Sequence, residues 1–245
     1  MKNRIAALVV GVALVCTITA CGGGDGGNSS SATPMAHSTP QVIDIDMYGD
    51  STMAGVTMVG AEYVTTANNE PNNVQQELGS RARIFNQGVS GTTLQELIDG
   101  TDGRHTMNLQ QLMAKSSSRI VVENFAINDA SSQSLQQFMS NVDYFVTQAR
   151  ANGKVPVIEE PNPVCDPNLK NIPELDAQVA ALEEYAARYN VAIVKQYDYI
   201  KSLPNWQSML PDRIHPNEAL YKVKADRTAA VLAPLIQCAE NGTCP

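Results

Sequence analysis

The chain has 245 residues, 43% hydrophobic and 17% charged, which suits one globular domain of about 200 residues with a full core and excludes a disordered or coiled-coil chain. Its formal net charge of −8 at pH 7, with a pI of about 4.9, provides no basic patch for nucleic acid.

Residues 1–20 address the chain rather than fold with it. Lys2 and Arg4 give a positive start, and the apolar run over residues 5–15 is shorter than the about 20 residues a membrane-spanning helix needs. This is the pattern of a secretory signal, and its removal takes two positive charges, −8 − 2 = −10. Its end, Ile18-Thr19-Ala20-Cys21, resembles the bacterial lipobox. That resemblance implies a lipid (palmitate-type) anchor on Cys21 and a place in the cell envelope; an ordinary cleavage site with an incidental cysteine is the competing reading. Residues 21–40 are rich in Gly, Ser, Thr and Pro without periodic apolar residues, which suits a flexible tether of roughly 25 Å. Gly22 rather than Asp after the cysteine points, by the same resemblance, to an outer membrane. The membrane is thus expected to be met through the lipid anchor only.

The folded domain is expected over residues 41–245. It opens on a strand, residues 42–48, that runs into Gly49-Asp50-Ser51-Thr52, a sharp turn into a helix. Further strands are predicted at residues 83–86, 120–126, 155–158 and 191–194, with Pro156 near the start of the fourth. Helical spacing appears in Leu94, Leu97 and Ile98, in Leu109, Leu112 and Met113, over residues 135–149 and 175–186, and over a last helix at 220–236. Alternation of this kind predicts an α/β fold, a three-layer α/β/α sandwich on a mostly parallel five-stranded sheet, with the site outside the carboxyl ends of the strands.

The polar residues after those strands gather at that edge. Ser51 follows the first, Gln87-Gly88 the second, Asn128-Asp129 the third, and the last loop carries Asp212-Arg213-Ile214-His215. A serine needs a general base to become nucleophilic near neutral pH, and histidine suits it. Of three histidines, His37 lies in the tether and His105 in a polar run with Asp102 and Arg104, whereas Asp212 three residues before His215 can reach its Nδ1–H and turn Nε2 to the serine. Gly88 and Asn128 are candidate oxyanion donors beside the Ser51 backbone N–H. Each has a plainer reading: Asp50 or Ser51 as a helix cap, Gly88 as a turn, Asn128 as a cap.

Gly49-Asp50-Ser51, Gly88, Asn128-Asp129 and Asp212-x-x-His215 stand in the order and rough spacing of the SGNH hydrolases, also called GDSL esterases/lipases, and the resemblance spans nearly the whole domain. It implies Ser51 as nucleophile, Asp212 and His215 as the rest of the triad, and an oxyanion hole of Ser51, Gly88 and Asn128. One departure is Ala126, where the family has the Gly of Gly-x-Asn-Asp; its methyl group is expected to tighten the wall near the hole. The family cleaves esters and thioesters of lipids, acetylated sugars and peptidoglycan. A polar rim expected from Glu160, Trp206 and His105 favours a short acyl or acetyl ester of a carbohydrate or small molecule, cleaved by a monomer with no cofactor and no metal. A catalytically silent envelope scaffold, a lipid esterase or thioesterase, and a hydrolase built on Cys165 are the alternatives.

Setting aside Cys16 and Cys21, three cysteines remain. Cys165 follows the fourth strand at the site edge, while the last helix carries Cys238 away from it, so Cys238 and Cys244 are predicted to pair and Cys165 to stay reduced.

Overall fold

The computed structural model describes residues 41–168 and 171–242; the predicted signal, the lipobox with Cys21, the tether and Cys244 lie outside them. In chain order, β1 (Ile43–Gly49) leads into the one-turn helix α1 (Ser51–Ala54), then an antiparallel hairpin of β2 (Val56–Val59) and β3 (Glu62–Thr65) and the helix α2 (Glu70–Leu78). β4 (Ala82–Asn86), α3 (Leu94–Asp99), α4 (Leu109–Lys115), β5 (Ile120–Asn124), α5 (Asp129–Ser132) and α6 (Leu135–Ala151) follow. The chain closes with β6 (Val155–Glu159), α7 (Ile172–Tyr189), β7 (Ala192–Val194), α8 (Tyr197–Ser202) and α9 (Glu218–Asn241).

Five of the strands form one sheet in the order β4-β1-β5-β6-β7, every pair parallel. Counted along the sheet's own strands this is 2-1-3-4-5, the flavodoxin-like order, whose direction of winding reverses between the first and third strands. Here that crevice opens beyond Gly49 of β1 and Asn124 of β5, which lie side by side in the register. The chain is thereby led to place the turn after β1 and the loop after β5 against each other.

Alternation along β1 supplies both cores. Ile43, Ile45 and Met47 pack with Val74 and Leu78 of α2 and with Ala225, Leu232 and Ile236 of α9. Tyr48 on the other face joins Leu94, Leu109, Phe138, Phe145 and Leu182 from α3, α4, α6 and α7. Burial on both faces, at about 25 cal/mol per Å² of apolar surface, accounts for the three layers.

Two aspartates of β1 also point into the second layer and are satisfied there. Asp44 takes both ends of the Arg83 guanidinium, at 2.9 and 2.6 Å, and Asp46 accepts from Ser116 at 2.5 Å and from the Gln87 amide at 3.1 Å. A larger buried ionic group joins α2, β6 and α9. Lys224 Nζ stands 2.8 Å from Glu70 and 3.6 Å from Glu159, Thr228 donates to both carboxylates, and all four side chains are cut off from solvent. Burial, then the neighbouring Glu70, holds the Glu159 carboxyl well above the ordinary range.

The structure adds to the expected elements and trims some. The hairpin and α2 lack a predicted counterpart, because four-residue strands and a helix opening Glu70-Pro71-Asn72-Asn73 carry little apolar periodicity. β5 ends at Asn124 rather than residue 126, and α9 begins at Glu218 and runs through Pro234 to Asn241. No helix among the described residues is long and apolar enough to cross a membrane.

Candidate active site

The turn after β1 is built so that the serine hydroxyl has no local task. Asp50 caps α1, its carboxylate accepting from Thr52 N–H at 2.8 Å and Thr52 Oγ1–H at 2.9 Å, and Gly55 closes the helix in the left-handed region. Ser51 is therefore spared from capping, and its backbone N–H, at the first helical position, lacks a partner within the helix. Gly49 is dictated by close approach, since a Cβ there would lie 2.6 Å from both Asn124 O and Met53 Cβ.

The loop before α9 delivers His215, the candidate base. Asp212 Oδ1 accepts the backbone N–H groups of Ile214 and His215, at 3.0 and 2.7 Å, while Oδ2 stands 2.6 Å from His215 Nδ1. That leaves Nε2, which sits 2.8 Å from Ser51 Oγ. Burial pushes the Asp212 carboxyl up, but the bonds from the His215 ring and backbone outweigh it and leave the carboxyl below its ordinary range. The turn is pinned from the loop after β6, where Asn162 Nδ2 donates to Ile214 O and Cys165 N–H to Arg213 O, both at 2.9 Å. Arg213 is held at φ +71°, a left-handed conformation that this anchoring sustains.

Gly88 is required by the neighbouring helix. A Cβ would fall 2.4 Å from Ala54 N and 2.7 Å from Met53 C, so only glycine lets the loop lie against α1. Its N–H donates to Asn86 Oδ1 at 2.9 Å, so this candidate donor has a partner in the resting chain. Arg104 grips the same loop, donating to Gly88 O at 3.2 Å and Asn86 O at 3.0 Å.

Asn128 opens α5 but its side chain does not cap it; Nδ2 donates to Thr92 O at 2.9 Å, which leaves one amide hydrogen for other use. Asp129 ties that loop to α3, accepting from Leu94 N–H at 3.0 Å and from Gln133 Nε2 at 3.0 Å. Burial raises its carboxyl to about 7. Ala126 sits at φ +118°, a conformation suited to glycine, and has no exposed surface. Its methyl group packs in the apolar core with Phe125 and Ile127, so the expected tightening of the pocket wall becomes backbone strain under the site.

The expected rim is corrected at two positions. Glu160 is 1% exposed and accepts from the backbone N–H groups of Gln196 and Tyr197, so it anchors α8 instead of facing substrate. The His105 side chain is buried and bound to Asp102 at 2.5 Å, beneath the Gln87-Gly88 loop. Trp206 is half-buried against a small cluster of Ile200, Leu210 and Leu220. Cys165 is a free thiol, raised above its ordinary range chiefly by burial. Sequence reasoning missed Asn124, whose Oδ1 accepts from Thr52 Oγ1 at 3.2 Å and whose Nδ2 donates to Glu159 O and Glu160 O. It also missed Tyr63, whose ring stands edge-on to the His215 imidazole with centroids 5.7 Å apart. An asparagine ending a buried strand was a visible signal for the first; the weak hairpin hid the second.

A model of the GDSL-like lipase/acylhydrolase family matches residues 47–223. The chain belongs to that family. The GDSL hydrolase is accordingly an enzyme acting on carboxylic ester bonds. Solved structures repeat its fold at low identity. One is a carbohydrate acetylesterase family member from Sinorhizobium meliloti (15% identity, 80% of this chain and 100% of that one, TM-score 0.66). A second is an aryl esterase from M. smegmatis (18%, 79% and 100%, TM-score 0.64). A third is a lipolytic G-D-S-L family protein from Veillonella parvula (15%, 78% and 99%, TM-score 0.63). A comparison with curated proteins finds no match for the GDSL hydrolase.

Proposed function

We propose that the chain is a serine esterase that removes a short acyl group, an acetyl group in the first instance, from a carbohydrate or other small alcohol. The observation that carries this is the continuous line from Asp212 Oδ2 to His215 Nδ1 at 2.6 Å and from His215 Nε2 to Ser51 Oγ at 2.8 Å. Ser51 Oγ attacks the ester carbonyl as its proton passes to Nε2. The tetrahedral oxyanion takes hydrogen bonds from Ser51 N–H, Asn128 Nδ2–H and Gly88 N–H, the last by sharing or displacing Asn86 Oδ1. Imidazolium then protonates the leaving alkoxide, an acyl-enzyme remains, and a water activated by the same imidazole releases the acid and restores Ser51. Asp212, ionised because its folded state favours the charge, keeps Nδ1 protonated and stabilises the imidazolium. The carbohydrate acetylesterase structure above supports an acetyl group through likeness of fold.

A fluorophosphonate probe is expected to label Ser51 in the wild-type chain and not in Ser51→Ala. Ser51→Ala and His215→Ala each remove nearly all hydrolysis of an acetate ester, and the double variant loses no more than either, since the two act as a unit. Asn128→Ala lowers kcat by about a hundred- to a thousandfold with little change in KM. Additive losses, or an effect of Asn128 on KM alone, defeat the assignment. For the segments outside the described residues, the proposal is a mature chain lipidated at Cys21 and held at the envelope by the tether, and Cys238, near the end of α9, is proposed to join Cys244. Cys21→Ser then moves the protein from the membrane fraction to the soluble one, and retention in the membrane overturns the anchor.

A further inference from the structure

In the tetrahedral intermediate the acyl carbon carries four groups, and their directions are fixed by the residues around Ser51. The oxyanion faces the loops of Gly88 and Asn128. The leaving oxygen must lie within hydrogen-bond reach of His215 Nε2, because that nitrogen returns the proton to it. A solvent-facing side chain that borders the His215 ring therefore lies nearer the alcohol part of the ester than the oxyanion.

Tyr63 stands there. Its ring meets the imidazole edge-on at 5.7 Å, with an interplanar angle of 72°, yet the residue remains 63% exposed. Its phenol lies toward Asp212, whose negative charge is the first cause of its raised pKa. Met58 is its cross-strand partner in the hairpin, so both side chains project from the same face. The hairpin is fastened to the body on both strands. Tyr221 Oη donates to Val56 O at 2.6 Å, Thr66 N–H to Gly55 O at 2.9 Å, and Thr66 Oγ1 to Glu218 at 2.5 Å. An aromatic side chain left this open, on a hairpin fastened at its base, has an apolar face free for a ligand, and the backbone that carries it is ordered before binding.

We infer that Tyr63, with Met58 beside it, forms the leaving-group subsite and selects esters whose alcohol presents a flat C–H face, a sugar ring or an aryl ring, over esters of short open-chain alcohols. This rests on the Ser51–His215 esterase reading and adds a specificity residue to it. Tyr63 enters no bond change: it contacts the alcohol until the alkoxide leaves, so it acts on acylation and has no hold on the acyl-enzyme that water later cleaves.

The test uses three acetates that share one acyl group: phenyl acetate, a monoacetylated methyl pyranoside and ethyl acetate. Tyr63→Ala is expected to lower kcat/KM for the two ring esters by about five- to tenfold, as loss of one aromatic contact implies, with ethyl acetate changed less than about twofold. Tyr63→Phe keeps the ring and retains the preference. The rate of deacetylation of the common acetyl-enzyme, and the pH profile, are unchanged in both variants. A loss confined to the phenyl ester identifies an aryl alcohol, and one confined to the pyranoside a sugar; either supports the subsite. An equal loss on all three esters makes Tyr63 a shield for His215 and overturns the proposal, as does no loss on any. A wild-type chain that cleaves none of the three and takes no fluorophosphonate at Ser51 overturns the esterase reading, and this subsite with it.

Discussion

Glu123 offers a test of how the site's floor is held. It lies on β5 one residue before Asn124, with no exposed surface; Oε2 accepts from Phe125 N–H at 3.4 Å and Oε1 has no hydrogen-bond partner. Burial raises its carboxyl to about 8, the bond from Phe125 opposes this, and Asp129 adds to it. Because the folded chain holds this proton more tightly than the unfolded one, the stabilisation is complete below the ordinary carboxylate range and is lost as pH rises through about 8. The loss on going from pH 5 to pH 8.5 comes to roughly 4 kcal/mol, a large part of the about 5–15 kcal/mol of a typical domain. Glu123→Gln keeps the shape and removes the ionisation. Whatever the amide costs at Oε1 does not depend on pH, so the informative quantity is the slope. Urea unfolding at pH 5 and at pH 8.5 is expected to show the variant gaining about 4 kcal/mol on the wild type between the two. Two chains whose stabilities move in parallel with pH would refute the buried, protonated Glu123 and the cause assigned to it.

Three further outcomes follow from geometry already given. Gly88→Ala pushes a Cβ into the α1 backbone, with Ala54 N 2.4 Å away, so the chain is expected to lose about 1–3 kcal/mol of stability in urea unfolding and most of its rate of fluorophosphonate labelling. Arg104→Met removes both side-chain bonds to the Asn86–Gly88 loop; kcat is expected to fall about tenfold with KM little changed, and Arg104→Lys to restore part of it, as steady-state kinetics would show. Lys224→Met leaves Glu70 and Glu159 facing each other without their cation, at a cost of about 3–5 kcal/mol by urea unfolding, most of it recovered when both glutamates are also changed to glutamine.

The sheet was legible because its strands are runs of apolar residues between turns, a pattern that survives without knowing any partner. The order in which Ser51, Gly88, Asn128 and His215 follow their strands was legible for the same reason. What stayed hidden has its explanation at long range. Glu159 ends a strand that reads as apolar, and nothing near it in the chain announces Lys224, which sits on α9. Glu160 read as a rim residue because charged residues in loops are usually exposed; its actual partners are the backbone N–H groups that start α8. Tyr63 was lost with its hairpin, whose two strands have four residues each and expose two valines and a tyrosine.

The twin of the Asp212–His215 loop shows where local sequence stops being sufficient. Asp102-Gly103-Arg104-His105 and Asp212-Arg213-Ile214-His215 share one spacing and fold into one hydrogen-bond pattern. In each, a carboxylate oxygen accepts the two following backbone N–H groups and its mate takes the ring Nδ1. Local chemistry thus sets the orientation of both imidazoles alike. The difference lies in what topology puts before Nε2. For His105 it is the side-chain amide oxygen of Gln87, 3.4 Å away, which can only accept a hydrogen bond and has no proton to give. For His215 it is the Ser51 hydroxyl at 2.8 Å, where the loop before α9 meets the turn after β1. An Asp-x-x-His turn becomes a base only when a strand end supplies a hydroxyl, so one turn orders the Gly88 loop while the other faces the serine.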